Sequence, residues 1–240
     1  MEKTASSYAI FCESIERYDL VVSHYLDNPN CQLLGTFADF ELLCIALKAL
    51  IERDRFALRT IKPPAQQASE YPQSLSFYQK MLSVRVESNI KKFLHFLDLI
   101  SNSCTLFEEK YFAADTAKLR GDLLRYLAEL CSPSEAPERA EMAEKAYREA
   151  MIILDASDTE GEKCSARKLA LSLNWAILKF ELKGETRQAI RDAEAVAENF
   201  LSAQGAMIEE RLKEAAPVYR LLEENLKQWR KQLEEEEIHG

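Results

Sequence analysis

Glycine and proline are scarce in this chain of 240 residues, with only 6 and 7 copies. Sheet proteins need many turns, and turns draw heavily on these two residues, so a β-rich fold is disfavoured. The abundant residues are instead Ala, Leu, Glu, Lys and Arg, which are good helix formers. Because 47% of the residues are apolar, the chain can also bury a large core. We therefore expect a globular, nearly all-helical protein.

The chain also lacks the residue patterns of most enzymes and metal sites. Its three histidines, His24, His95 and His239, lie outside any HExxH pattern, and the sole Glu-x-x-His pair is Glu236 with His239. No GxGxxG, P-loop or GxSxG motif occurs. The six cysteines form no CxxC pair, and we interpret them as buried thiols. We therefore expect a protein that is not an enzyme and that binds neither a metal nor a cofactor.

An excess of positive charge is missing as well, because 40 acidic residues outnumber 31 basic ones and the formal net charge is -9. Nucleic acids and anionic membranes attract basic surfaces, so neither is an expected partner. No apolar run approaches the roughly 18 residues of a membrane-spanning helix, and the start of the chain carries charges where a signal peptide would be apolar. These features predict a protein with reduced cysteines that is located in the cytoplasm, and a location in the nucleus is also compatible with them.

Apolar spacing and helix breakers predict nine helices. Their expected ranges are about 5–16, 17–27, 36–61, 73–101, 108–131, 138–155, 162–182, 185–203, and a ninth that carries 221–229. Pro217 should lie near the first turn of the ninth helix, where a missing N–H costs little. Short connections favour antiparallel neighbours. We expect a single domain over 1–233, followed by an acidic tail over 234–240 that is either solvated or folded back over a cationic groove.

The most informative stretch is KLRGDLLRYLAEL, from Lys118 to Leu130. In a helix its charged residues Lys118, Asp122 and Arg125, with Glu129, fall within about a 60° sector, while apolar residues fill most of the rest. A helix with so much apolar surface is mostly buried. Its narrow charged stripe must therefore pair internally or line an enclosed polar groove, and we favour the groove.

A second row of cations lies on the third predicted helix, where Lys48, Arg55 and Arg59 fall within about 40° of one another. On an arbitrary helix such a row is a solvated face paired with neighbouring carboxylates. Together with Lys118 and Arg125, however, these cations suit a phosphate, which offers up to three acceptor oxygens and about -1.5 to -2 of charge.

The Lys118–Leu130 stretch resembles the KxKGDYYRYLAE segment of the 14-3-3 proteins. The positions in register are Lys118, Gly121, Asp122, Arg125, Tyr126, Leu127, Ala128 and Glu129. In the seventh helix LALSLNWAILKFEL is similar to the family's LGLALNFSVFYYEI, and in the ninth LLEENLKQW is similar to LLRDNLTLW. The resemblance covers nearly the whole chain and peaks in three separated helices.

The resemblance implies an all-α bundle of nine antiparallel helices that form a concave peptide-binding groove. It also implies an adaptor that binds client proteins phosphorylated on serine or threonine. The residues that match the family's phosphate binders and their basic surroundings are Lys48, Arg55, Arg59, Lys118, Arg125 and Tyr126. Those that match its peptide-backbone and groove positions are Leu173, Asn174, Ile177, Glu181, Leu221, Leu222, Asn225 and Trp229. The alternative is a helical scaffold that binds partners without phosphate.

Two kinds of contact with a client are expected along the groove. Asn174 and Asn225 each offer a donor and an acceptor, which is what an extended peptide backbone requires. The leucines and Trp229 are expected to form an apolar wall for client side chains. Taken alone, these apolar residues read as ordinary core residues.

In 14-3-3 dimers the first two helices of one subunit pack on the third and fourth of the other. The matching residues here are Phe11, Ile15, Arg17, Tyr18, Leu20, Tyr78, Met81 and Arg85. One Asp/Lys pair of the family becomes Leu20 with Met81, and an Arg/Glu pair becomes Arg17 with Arg85. The second change sets like charges opposite each other, so we expect a homodimer with an atypical interface, or a monomer.

Overall fold

A computed structural model describes residues 7–27, 37–61, 72–102, 111–157 and 165–239. Over these ranges the chain forms nine α-helices and no strand, which confirms the all-α class. The helices are α1 (Ser7–Ser14), α2 (Tyr18–Leu26), α3 (Phe37–Thr60), α4 (Pro72–Asn102), α5 (Phe112–Leu130), α6 (Ala136–Ser157), α7 (Ala166–Glu181), α8 (Thr186–Ala203) and α9 (Glu209–His239). The predicted beginnings of the third, fifth and seventh helices, at about 36, 108 and 162, lie outside the described residues.

Two prolines that directly precede the predicted starts of the fourth and sixth helices lie inside the first turns of these helices. Pro72 begins α4, and Pro137 is the second residue of α6. The first N–H groups of a helix have no partner within it, so proline costs no hydrogen bond at these places.

The prediction for the start of α9 is wrong. The helix begins at Glu209, more than two turns before Pro217, which lies in its interior. Pro217 is exposed, whereas Ala215 and Leu222 on the opposite side are fully buried. Because one face of α9 is anchored in the core, its packing offsets the hydrogen bond that the proline removes.

The acidic run at the end of the chain continues α9 as helix. Glu237 Oε1 accepts a hydrogen bond from Arg187 Nη2 of α8 at 2.9 Å. About two turns before it, Arg230 Nη2 donates to Glu194 Oε1 of α8 at 2.6 Å. The acidic run therefore continues α9 and contacts α8 in the structure.

The chain divides into two compact units, Met1–Glu108 and Glu109–Gly240. In the first, α3 and α4 bury Leu43, Leu47 and Phe93, and the Tyr25 hydroxyl donates to Asp39 Oδ1 at 2.6 Å. In the second, α5 packs along α6, and a further cluster joins α7, α8 and α9. The single domain of 1–233 remains a prediction.

None of the described helices combines the length and the apolar character that crossing a membrane needs. Among the same residues, no group of three or more His, Cys, Asp or Glu side chains is arranged to hold a metal ion.

Candidate functional site

Helix α5 buries most of its surface, including two charged side chains. Asp122 is 5% exposed and Arg125 is 6% exposed. Each pairs with an opposite charge one turn away, because Lys118 Nζ donates to Asp122 Oδ2 at 2.8 Å and Arg125 Nη1 donates to Glu129 Oε1 at 3.0 Å. The charged stripe is thus paired internally in the structure, and an incoming anion would join a network whose charges already balance.

Asp122 is the centre of a hydrogen-bond network that joins three helices. Its Oδ1 accepts from the Tyr147 hydroxyl of α6 at 2.8 Å and from Nδ2 of Asn174 of α7 at 2.6 Å. Lys118 supplies the third donor. A buried carboxylate without partners would be strongly destabilising, and three donors offset that cost.

Gly121 makes this network sterically possible. The Tyr147 ring passes so close to the α5 backbone that a Cβ at this position would lie 2.4 Å from its Cε1 atom. Glycine in a helix interior costs about 1 kcal/mol relative to alanine, so its use here reflects the approach of the ring. Tyr147 lies on a face of α6 where Ala143, Ala146 and Ala150 are buried beside it.

Burial and local charges shift the pKa values of these groups. Burial would raise the pKa of Asp122, but the charge and hydrogen bond of Lys118, helped by Arg125, lower it below its ordinary value. Burial raises the pKa of Tyr147 well above its ordinary value, and the charge of Asp122 adds to the effect. Burial alone would lower the pKa of Arg125, but the neighbouring tyrosines and Asp122 raise it. At neutral pH the network holds a carboxylate, a protonated phenol and a guanidinium.

Three neighbours fix the Arg125 guanidinium. Its central carbon lies 4.6 Å from the centroid of the Tyr126 ring, a cation–π distance. Its Nε donates to the Tyr147 hydroxyl oxygen at 3.4 Å, and Glu129 accepts from Nη1. Within the described residues Nη2 has no hydrogen-bond partner. A guanidinium held in this way loses little freedom when an anion binds, which favours recognition of phosphate.

In the first unit, burial divides the predicted cation row of α3. Lys48 and Arg59 are exposed, whereas Arg55 is 8% exposed. Arg55 Nη1 lies 4.0 Å from Oε1 of Glu52, one turn earlier. Arg55 and Arg125 therefore share a pattern, since each is a buried guanidinium beside a carboxylate of its own helix.

The NH₂ groups of both predicted peptide-binding carboxamides donate hydrogen bonds within the chain. Asn174 donates to Asp122, and Asn225 Nδ2 donates to the backbone oxygen of Leu221 at 2.7 Å. Both side chains are partly exposed, and Glu181 at the end of α7 is exposed.

The predicted apolar wall is mostly inside the protein. Leu173, Leu222 and Trp229 belong to the core cluster of α7, α8 and α9, and Leu222 is fully buried. Leu221 is exposed and Ile177 is half-buried. Of these five residues, only the last two have exposed surface, and the buried three support the helices that carry them.

The residues that match family dimer contacts are mostly on the surface. Those that are exposed are Phe11, Ile15, Arg17, Tyr78, Met81 and Arg85, whereas Tyr18 and Leu20 are half-buried. Both arginines have carboxylate partners within the chain. Arg17 donates to Asp19 through two nitrogens at 2.9 and 2.8 Å, and Arg85 donates to Asp54 at 2.5 and 2.7 Å.

Sequence reasoning missed Tyr147 and the central place of Asp122. Two signals could have found them: a glycine in the middle of a buried helix, and a lone aromatic residue on an alanine-rich helix face. Together they indicate a close approach of a ring to a backbone, but nothing in the sequence pairs the two helices.

Comparisons with known proteins agree on one family. A family model described as 14-3-3 protein matches residues 8–230. The chain is similar to 14-3-3 protein eta of Homo sapiens, with 27% identity over 238 residues that cover 95% of this chain and 94% of that protein. It is similar to 14-3-3 protein epsilon of Drosophila melanogaster, at 26% identity over 96% and 88% of the two chains. The 14-3-3-like protein C of Glycine max is 24% identical over 95% and 88%.

Proposed function

The chain belongs to the 14-3-3 family, and from this membership we propose that it is an adaptor which binds client proteins through a phosphorylated serine or threonine. Family membership supports an adaptor rather than an enzyme, and client binding and dimer formation in general. The finer claims, that binding depends on phosphate and that the protein acts in the cytoplasm as a homodimer, are part of the proposal.

The observation that carries the proposal is the environment of the Arg125 guanidinium. It is buried, charged and stacked on Tyr126, with Nη2 left without a partner among the described residues. A phosphate brings about -1.5 to -2 of charge and three acceptor oxygens, whereas the Glu129 carboxylate brings -1. The stronger anion can therefore take up the remaining donors without breaking the network around Asp122.

The proposed phosphate-binding set is the one that the sequence indicates. It consists of Lys48, Arg55, Arg59, Lys118, Arg125 and Tyr126. The proposed peptide contacts are Asn174, Ile177, Glu181, Leu221 and Asn225.

The test is a peptide library that contains each sequence in phosphorylated and unphosphorylated form. If only the phosphorylated members bind tightly, the proposal is supported. If both forms bind equally, the protein is instead a helical scaffold that binds partners without phosphate. Calorimetric titration of the best peptide then compares wild type with Arg125→Ala and Arg125→Lys. We expect Arg125→Ala to cost about 2 to 4 kcal/mol of binding, and Arg125→Lys to restore little because it cannot bind in a bidentate way.

A control variant removes an arginine of the same unit from a different surface. Arg148 of α6 is exposed and lies 3.5 Å from Glu144. Arg148→Ala should leave the affinity unchanged. Equal affinities for wild type and Arg125→Ala would remove Arg125 from the proposed site.

A further inference from the structure

The partner of Asn174 decides which end of its carboxamide is left for a ligand. Its polar contact within the described part of the chain is the hydrogen bond from Nδ2 to Asp122 Oδ1 at 2.6 Å. A carboxylate only accepts hydrogen bonds, so the NH₂ end must face Asp122 and the carbonyl Oδ1 must face away from it. The opposite orientation would set two acceptor oxygens against each other.

Asp122 is itself held in place by groups that do not belong to α7. The Lys118 ammonium and the Tyr147 hydroxyl each donate to it at 2.8 Å. The Tyr147 ring in turn fills the space above Gly121. Asp122 is thus a fixed acceptor, and Asn174 can satisfy it only with Nδ2.

Asn225 of α9 shows the same arrangement with a different partner. Its Nδ2 donates to the Leu221 carbonyl oxygen, which also only accepts. Both carboxamides therefore have Oδ1 left as an acceptor, whereas the sequence suggested a mixture of donors and acceptors. An extended chain meets such acceptors with its backbone N–H groups.

We propose that Asp122 is a positioning residue, which holds Asn174 so that Oδ1 of Asn174 accepts a hydrogen bond from one backbone N–H of the bound peptide. The inference rests on the proposed function for the presence of a peptide at this surface, but it needs no phosphate. Asp122 is buried and does not touch the peptide itself. It acts through Asn174, and through Tyr147 it is also connected to the Arg125 guanidinium.

The probe is the tightest-binding peptide of the library, synthesised with each backbone N–H replaced in turn by N–CH₃. Methylation removes one donor at a time. For wild type we expect a penalty of about three- to tenfold in Kd at the position that meets Asn174, as for the loss of one hydrogen bond. N-methylation also changes the free peptide, but that effect is the same for every protein variant, so penalties can be compared between variants.

Asp122→Asn is the variant that tests the positioning role. It keeps the shape of the side chain but can offer either a donor or an acceptor to Asn174, so the Asn174 amide is free to turn. We expect the N-methyl penalty at that one position to fall below about twofold. Asn174→Ala should abolish the penalty as well.

Glu144→Gln is the matched control. Glu144 is also a buried carboxylate of the second unit, and it accepts hydrogen bonds from Trp175 Nε1 at 3.3 Å and from Lys183. No hydrogen bond joins Glu144 to Asn174, so Glu144→Gln should keep the wild-type penalty even if it lowers stability. A purely structural role for Asp122 would make the two variants alike.

A measurement that does not need Asp122→Asn covers the case in which this variant does not fold. In ¹⁵N-labelled protein the side-chain amide of Asn174 is assigned by its loss in Asn174→Ala. One of its protons should exchange with solvent more slowly than those of Gln228, an exposed carboxamide of α9. Equal exchange would show that Asp122 does not hold Nδ2 and would overturn the proposal.

The outcomes separate this inference from the proposed function. If the N-methyl penalty survives in Asp122→Asn while binding depends on phosphate, the positioning role is wrong and the adaptor function stands. If phosphorylated and unphosphorylated peptides bind equally but the penalty disappears in Asp122→Asn, phosphate dependence is wrong and the positioning role stands. Absence of peptide binding overturns both.

Discussion

A side chain at position 121 would collide with the Tyr147 ring, and this collision outweighs helix propensity. Alanine is favoured over glycine in a helix by about 1 kcal/mol. A Cβ here would lie 2.4 Å from Tyr147 Cε1, and overpacking of this kind costs about 1 to 3 kcal/mol, or more where the ring cannot move. We expect Gly121→Ala to lower the melting temperature, by about 2 to 4 °C for each kcal/mol lost.

Gly205 provides the control for this substitution. It lies in the short 3-10 turn Gln204–Ala206, and a Cβ there would meet no atom within 4 Å. Gly205→Ala should be neutral or slightly stabilising. An unchanged melting temperature for Gly121→Ala would mean that the Tyr147 ring moves aside without cost, and the ring would then not be a fixed support for Asp122.

The lowered pKa of Asp122 makes its contribution to stability depend on pH. The ordinary pKa of an aspartate in an unfolded chain is about 3.9. A group whose pKa is lower in the folded state stabilises it fully above the unfolded value, and that contribution is lost as the pH falls through the folded value. The difference in unfolding free energy between wild type and Asp122→Asn should therefore be largest near pH 7 and shrink below about pH 4.

Urea unfolding at pH 7, 4 and 3 measures this difference. Asp155→Asn is the control, because Asp155 is exposed and its pair with Lys168 is of the kind that contributes little. A difference for Asp122→Asn that stays constant from pH 7 to pH 3 would contradict the coupling of Asp122 to its cationic neighbours.

Among the helices, α9 departs furthest from what the sequence predicts. The last residues were expected to form a tail, but they continue the helix and pair with α8 through Arg187 and Glu237. A helical run paired with α8 must give up this contact before Glu237 can bind another cation of the chain. We expect truncation after Leu233 to leave the Kd of a phosphopeptide unchanged within about twofold, even at low salt, where competition between charges would be strongest.

Isothermal titration of the full chain and the truncated chain at low and high salt checks this expectation. The pair between Arg187 and Glu237 is exposed on both sides, so Arg187→Ala should also have little effect on binding. Tighter binding of the truncated chain that disappears at high salt would show that the acidic run does reach the cations.

Most of the helices were predictable because local sequence patterns indicate them. Apolar spacing and helix breakers gave every helix of the ranges that the structure describes, with most ends correct to within a few residues. The roles of individual apolar residues were less predictable, because Leu221 and Leu222 are adjacent in sequence yet one is exposed and the other fully buried. Periodicity places residues on a face of a helix, but only the packing of α7, α8 and α9 determines which face is core.

The candidate site shows the same division between local and long-range information. The sequence places Lys118, Asp122, Arg125 and Glu129 on one stripe, and the structure has them there. It does not reveal that Asp122 also accepts from residues of α6 and α7, since contacts 25 and 52 residues apart leave no local pattern.

At the scale of the whole molecule, the two arginines that a family-type dimer would set opposite each other have carboxylate partners within their own chain. Arg17 pairs with Asp19, and Arg85 pairs with Asp54, whose side chain is buried. The like charges that a family-type dimer would set opposite each other are thus neutralised before subunits meet. Arg85→Glu would place a carboxylate beside buried Asp54, so it would destabilise the protein rather than restore an intersubunit pair.

The proposed dimer should therefore be held by apolar contacts and depend little on salt. Phe11 and Met81 are exposed apolar residues at positions that match the family interface. We expect Met81→Lys and Phe11→Lys each to weaken association more than tenfold, because a lysine at an apolar interface must lose its hydration. The dissociation constant of the wild-type dimer should change less than about threefold between 50 mM and 500 mM salt, since screening acts on exposed charges.

Sedimentation equilibrium of the three proteins measures both effects. Ile152→Lys is the control, because Ile152 is an exposed apolar residue of α6, which does not match any dimer contact of the family. If Ile152→Lys weakens association as much as Met81→Lys does, the two copies meet through a different surface. If high salt dissociates the wild-type dimer, charge pairs between subunits hold it together, and Arg17 and Arg85 must then exchange their internal partners for partners on the other chain.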